Sequence, residues 1–226
     1  MKQKYGFTLS EILIALTIIG VIAALTLPGL YADIEKKKIT SNLAKSIQQI
    51  ELGVHNLMQE DFIENSSAQS YSDRLFDINN LDLDRINEAM GAVSINSKSS
   101  LKKVKQPSIK EYNGSSHSHD WSGFANFKKF KSSYAIQLNE EASNNEKRLA
   151  NTDFAEIYID TNGFNNGQNK LGKDVFAFKL RNDGKLVPYG LNEENDTWRD
   201  TCNNTISNGK SCAARVLADG FKINYD

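Results

Sequence analysis

The run from Phe7 to Leu27 constrains this chain more than any other feature. Its roughly 21 residues are long enough to cross a hydrocarbon core about 30 Å thick as one helix. Lys2 and Lys4 precede it. By the positive-inside rule they hold the N-terminus in the cytoplasm and send the remainder outward, although Lys36, Lys37 and Lys38 on the far flank weaken the asymmetry set by Asp33 and Glu35. Glu11 sits inside the apolar run. An ionised carboxylate in lipid is costly and needs a partner. A secretory signal peptide accounts for the basic start and apolar middle, but not for Glu11 or for the lack of a small-x-small site before the polar body. A plain membrane anchor accounts for the length alone.

Gly6-Phe7-Thr8-Leu9-Ser10-Glu11, followed by the apolar run and Pro28, accounts for all the parts together. This pattern resembles the cleavage and methylation signature of type IV prepilins. Ser10 is the one departure, standing where a larger apolar residue is common. The resemblance implies that a prepilin peptidase cuts between Gly6 and Phe7 and N-methylates Phe7. It also implies that Glu11 of one subunit pairs with the Phe7 amine of a neighbour and sets the axial register. Low dielectric strengthens that attraction, and one contact relieves two unpaired charges. The plainer reading of Glu11 is a carboxylate near a helix start, favoured by the helix dipole. Gly20 and Pro28 lower helix stability and mark a kink where the helix leaves the membrane; in similar pilins the stretch between such residues partly melts as the filament extends.

Beyond Pro28, Ile39, Leu43, Ile47, Ile50, Val54 and Leu57 recur every three or four residues and predict one buried stripe on an amphipathic helix ending between Gln59 and Asn65. Leu81, Leu83, Ile86, Ala89 and Met90 predict a short helix stopped at Gly91, within a Ser-, Lys- and Asn-rich stretch that reads as a surface insertion. From residue 132 the pattern changes to strands over Ser133 to Leu138, Phe154 to Asp160, Val175 to Arg181 and Lys185 to Pro188, with Asn182-Asp183-Gly184 as a hairpin turn. The fold class is α+β: a long N-terminal helix, membrane-spanning in its first half and amphipathic in its second, packed on a C-terminal antiparallel β-meander. The organisation reads as a leader over 1–6, a transmembrane and assembly helix over 7–30, an amphipathic stem over 31–62, a variable region over 63–131, and a β-domain with a C-terminal disulfide loop over 132–226.

Asp160, Asn162, Asn165 and Asp174 lie in a glycine-rich segment between two of these strands. Spaced carboxylate and amide oxygens of this kind can wrap a calcium ion, and some pseudopilins do bind calcium in a β-region loop. The segment has no closing bidentate glutamate, and Asn and Gly also favour turns for their own reasons. Cys202 and Cys212 are the only cysteines. In an oxidising compartment such a pair suggests a disulfide, and the family commonly staples its C-terminal loop this way. Zinc would require further ligands. His117 and His119 could bind a metal, but two histidines in a polar loop read more simply as surface residues. No nucleophile–base set or phosphate loop appears, so the chain reads as a structural protein rather than an enzyme.

The resemblance implies a filament subunit of a type II secretion or type IV pilus-like machine, anchored in the inner membrane and then part of a periplasmic or extracellular filament. Its partners are copies of itself and other pilins, the prepilin peptidase, the inner-membrane assembly platform and membrane lipid. The alternative is a minor pilin at a filament tip that binds DNA or a surface. The net charge of −1 argues mildly against DNA, while Lys102, Lys103, Lys105, Lys128, Lys129 and Lys131 offer a basic patch if they gather.

Overall fold

The computed structural model describes residues 6, 8–64, 83–94, 108–117, 123–138, 153–181, 184–191, 202 and 208–225. The chain divides into two compact units, Met1–Lys38 and Ile39–Asp226. Helix α1 (Leu9–Glu64) begins in the first and continues into the second, without a break at Gly20 or Pro28.

In the first unit α1 is exposed all round. Leu13, Leu16, Ile19, Val21 and Leu25 are each more than half exposed, and they occupy every side of the helix rather than one stripe. A helix that is apolar all round needs an apolar surrounding. Among the described residues, α1 is the one helix long and apolar enough to cross a membrane. Two hydroxyls in the apolar run are satisfied internally: Thr17 donates to the Leu13 carbonyl at 2.8 Å and Thr26 to the Ile22 carbonyl at 2.9 Å. No polar hydrogen of these side chains then needs a partner in lipid.

In the second unit the predicted stripe is buried. Leu43, Ile47, Ile50, Val54 and Leu57 enter the core and Ile39 packs at its edge. They meet alternate residues of the sheet: Tyr134 and Ile136, then Ile157 and Ile159, then Phe176, Phe178 and Leu180. The intervening residues Ala135, Tyr158, Val175 and Ala177 form a second core on the opposite face with Ile109, Phe124 and Leu171. This is the two-residue period of a strand, with both faces covered.

The described strands form an antiparallel sheet in the order β1 (Ala92–Ser94), β4 (Gly123–Phe127), β5 (Ser133–Leu138), β6 (Asp153–Asp160), β7 (Val175–Arg181) and β8 (Leu186–Pro188). The short hairpin of β2 (Ile109–Lys110) and β3 (Ser116–His117) stands apart from it. The architecture is α+β, a long N-terminal helix followed by an antiparallel sheet, as the sequence predicts. The four predicted strands are present. Asn182 and Asp183 of the predicted turn lie outside the described residues, but Gly184 has φ +80° and its N–H donates to Arg181 at 2.9 Å. The edge strand β8 is tied to the helix, since the Leu186 N–H donates to Glu51 Oε1 at 3.1 Å. Asn42 Nδ2 likewise donates to the Thr161 carbonyl at 2.9 Å.

The sheet also extends further than the sequence reading placed it. It starts at Ala92 rather than residue 132, because β1 and β4 pair along Ala92–Phe127, Val93–Asn126 and Ser94–Ala125. Three residues are too few to show a period, and Gly123 and Asn126 carry low strand propensity. The short helix α2 (Leu83–Ala89) is present and ends at Gly91, φ +62°; Leu81 lies outside the described residues. α2 runs so close to α1 that a Cβ on Gly53 would stand 2.8 Å from Met90 Cα and 2.9 Å from the Ala89 carbonyl oxygen. Gly53→Val therefore forces backbone apart. We expect a loss of about 2–3 kcal/mol, within the usual range for overpacking, read as a lower melting temperature with α1 otherwise intact.

Candidate functional site

The start of α1 is a reciprocal cap. The Thr8 N–H donates to Glu11 Oε2 at 2.8 Å, the Thr8 hydroxyl donates to the same oxygen at 2.8 Å, and the Glu11 N–H donates to Thr8 Oγ1 at 3.3 Å. With Leu9 as the first helical residue, Thr8 is the N-cap and Glu11 the third position, which is the capping-box arrangement. The Thr-x-x-Glu signal stands in the sequence before the apolar run, and the reading of Glu11 as a dipole-stabilised residue omits it. Gly6 is exposed, and a Cβ there would meet nothing within 4 Å. Phe7 lies outside the described residues.

The second constellation is the segment between β6 and β7. Asp174 is buried and organises it. Its Oδ2 accepts from the Gln168 N–H at 3.0 Å, the Asn169 N–H at 3.1 Å and Asn162 Nδ2 at 3.2 Å, while Oδ1 accepts from the Lys170 N–H at 2.6 Å. Asp160, fully buried, uses Oδ1 for the Asn162 and Gly163 N–H groups at 2.9 and 2.8 Å. Among the described residues its Oδ2 has no hydrogen-bond partner, and neither do the buried Asn162 Oδ1 and Asn169 Oδ1. Asn165 is exposed. Burial pushes the Asp160 carboxyl up to about 7, with the Asp174 charge adding to the rise and the two N–H bonds opposing it. The folded state thus holds a proton that the unfolded chain releases near the ordinary carboxylate value of 3.8. Stability should fall as pH rises between those values and level off above. Melting temperatures in a chelating buffer across that window test this, and Asp160→Asn should flatten the decline.

Three comparisons bear on these residues. Residues 1–27 match the prokaryotic N-terminal methylation motif, the type IV pilin-like signature. No curated protein and no solved structure matches the chain. The methylation motif covers Gly6, Phe7, Glu11 and Gly20 and ends one residue before Pro28. It leaves residues 28–226 to be read from the structure alone.

Outside the motif, the Cys202 and Cys212 sulfurs stand at bonding distance, 2.08 Å, with Cα atoms 5.2 Å apart. Both are buried, and Cys212 opens helix α3 (Cys212–Ala218), an element the sequence does not predict. Gly172 makes room for the pair: φ is +78°, and a Cβ there would stand 2.6 Å from Cys212 Sγ. The Tyr225 hydroxyl donates to the Gly172 carbonyl at 2.8 Å and pins the C-terminal tail to the same spot. His117 is more enclosed than a polar-loop histidine. Its Nε2 lies 3.2 Å from the Tyr158 hydroxyl and its Nδ1 3.5 Å from Glu111, and burial holds its pKa below the usual value. His119 lies outside the described residues. Among those described, no group of three His, Cys, Asp or Glu residues could hold a metal. Of the six candidate lysines, Lys128, Lys129 and Lys131 share one turn between β4 and β5, while Lys102, Lys103 and Lys105 lie outside the described residues.

Proposed function

We propose that the chain is a pilin or pseudopilin, a structural subunit of a type II secretion or type IV pilus-like filament. The match of residues 1–27 to the methylation motif carries this reading. The all-round apolar exposure of α1 from Leu9 to Leu30 supports it. Prepilin peptidase cuts after Gly6 and methylates Phe7. The freed amine of Phe7 and the carboxylate of Glu11 then lie in lipid, where each lacks water and gains most from the other on a neighbouring subunit. Gly20 and Pro28 are where α1 yields: Pro28 has no N–H to give the Ala24 carbonyl, and Gly20 costs about 1 kcal/mol of helix propensity against alanine. The Cys202–Cys212 bond forms after export and closes a short loop, worth about 2.7 kcal/mol in the chain-entropy model. The work is structural, and nothing in it requires catalysis by this chain. Deleting the prepilin peptidase tests the reading: the protein should stay in the membrane fraction at precursor size and vanish from sheared filaments. Filaments unaffected by the deletion would sink it.

The 160–174 segment suits a calcium ion. Calcium takes six to eight oxygens, and carboxylate and amide oxygens are its ordinary ligands. Asp160 Oδ2, Asn162 Oδ1 and Asn169 Oδ1 are buried oxygens that still want a partner, so these residues would hold it, beside Asp174. The ion would neutralise a buried carboxylate and fix the loop. Millimolar calcium should raise the melting temperature of the wild-type protein, by mass action on the folded state, and leave Asp160→Asn unmoved. An unchanged wild type would leave the loop to its own hydrogen bonds.

A further inference from the structure

A cavity of about 300 Å³ opens between the β4–β5 turn and the segment after β6. That volume lies at the small end of ligand sites and suits a ligand of one ring. Phe127, Phe130 and Phe164 line it with Lys131, Asn165 and Asn166. The aromatic walls are held from behind. Phe127 stacks on Phe130 with centroids 4.6 Å apart and the rings 23° from parallel, and Phe130 packs on the helix-side core. Phe164 packs on the core of the opposite face. Such rings are fixed by packing, yet Phe130 and Phe164 remain only half-buried.

The polar walls offer unspent bonding capacity. The ammonium of Lys131 has no hydrogen bond or ion pair among the described residues, and the same holds for Lys128 and Lys129 in the same turn. Among the described residues the turn therefore carries a positive charge with no ion-pair partner. Asn166 spends its Nδ2 on the Asn162 carbonyl at 3.1 Å and keeps its Oδ1, while the Asn165 side chain spends nothing among these residues. A ligand that fits must present an apolar flat face, several groups that both donate and accept, and a negative charge.

We propose that this cavity binds an acidic sugar, a pyranose ring bearing a carboxylate, as one residue of a polysaccharide. The C–H face of the ring lies on the phenylalanines, its hydroxyls meet the Asn165 and Asn166 amides, and its carboxylate pairs with Lys131. A phosphodiester strand is a poorer fit, since it wants several cations along its backbone and, among the described residues, Lys131 is the one cation lining the cavity. The proposal is independent of the filament reading, because no residue of α1 takes part.

The test is calorimetric titration of the full chain in detergent micelles with four probes: trigalacturonate, neutral maltotriose, inorganic phosphate and an oligothymidylate. Trigalacturonate should bind saturably, and maltotriose about tenfold more weakly or less. Lys131→Gln should weaken trigalacturonate by about tenfold, the order expected for one charged hydrogen bond, with an unchanged melting temperature because Lys131 is exposed. Asn165→Ala, also at an exposed position, should weaken both sugars alike. The proposal is overturned by no saturable heat at millimolar trigalacturonate, by equal binding of phosphate, by tighter binding of oligothymidylate, or by full affinity in Lys131→Gln.

Discussion

Cells carrying Glu11→Ala as their only copy should process the protein, insert it and make no filament from it. Removing a carboxylate from the apolar run relieves the membrane of a charge, so insertion does not suffer. Cleavage depends on Gly6 and the leader, both unchanged. Assembly loses the partner of the Phe7 amine, and breaking one side of a pair held in low dielectric lowers association by far more than about tenfold. Sheared filament should drop to background while the membrane fraction keeps a processed monomer. Glu11→Gln should behave almost the same, since it keeps the shape and loses the charge. The capping box supplies a control. Glu11 also closes the first turn of α1 through Thr8, so Glu11→Ala frays that turn as well as removing the charge. Thr8→Val removes the hydroxyl side of the cap and leaves the carboxylate in place. If the charge carries assembly, Thr8→Val retains filaments. If the cap carries it, both variants lose them, and the pairing account of Glu11 fails.

The second large effect is expected at Asp174. Its two oxygens receive three backbone N–H groups and the Asn162 amide, and they hold the whole turn from Gln168 to Lys170. Asp174→Ala leaves those donors facing a hole. A buried donor left unsatisfied costs about 1–3 kcal/mol, and water reaches the exposed Gln168 end, so the sum should be about 3 kcal/mol. For a domain of this size that is a melting-temperature drop of roughly 6–12 °C. The loss should be local in origin: the amides of Gln168, Asn169 and Lys170 should exchange faster before the rest of the sheet does. An unchanged melting temperature with full protection of those amides would mean that the turn is held by something other than this carboxylate.

The parts of this molecule legible in its sequence are those where a long-range pattern meets a local one. The stripe from Ile39 to Leu57 repeats for five turns, and each member lands in or beside the core. Val175 to Arg181 is a seven-residue run of strand formers beside a glycine turn, apolar over its first four residues, and the strand has those same ends. The N-terminal motif is legible because its chemistry is local: a cleavable glycine, a new amine and a carboxylate one turn on. What stayed hidden is short or conditional. Ala92–Ser94 becomes a strand only because Gly123–Phe127 lies beside it. Cys212–Ala218 has helical spacing at Cys212, Ala213 and Val216, but two turns are too short to stand out from the loop before them. Asn169 shows no sign in sequence that its Oδ1 ends up buried with no hydrogen-bond partner among the described residues, on a left-handed backbone of φ +49°. The cavity between two turns is assembled from residues more than thirty positions apart, Phe130 and Phe164 among them, and no window of the sequence contains it.

The central claim is that this chain is cut after Gly6 and begins, in its working form, with a methylated phenylalanine. Intact mass and N-terminal sequencing of the protein purified from its native membrane test it directly. The account predicts a single chain that lacks residues 1–6 and carries one added methyl on the Phe7 amine. A mature chain beginning near Asp33 would be the product of an ordinary signal peptide. A chain still carrying Met1 through Gly6 would be a plain anchor. Either result would contradict the account.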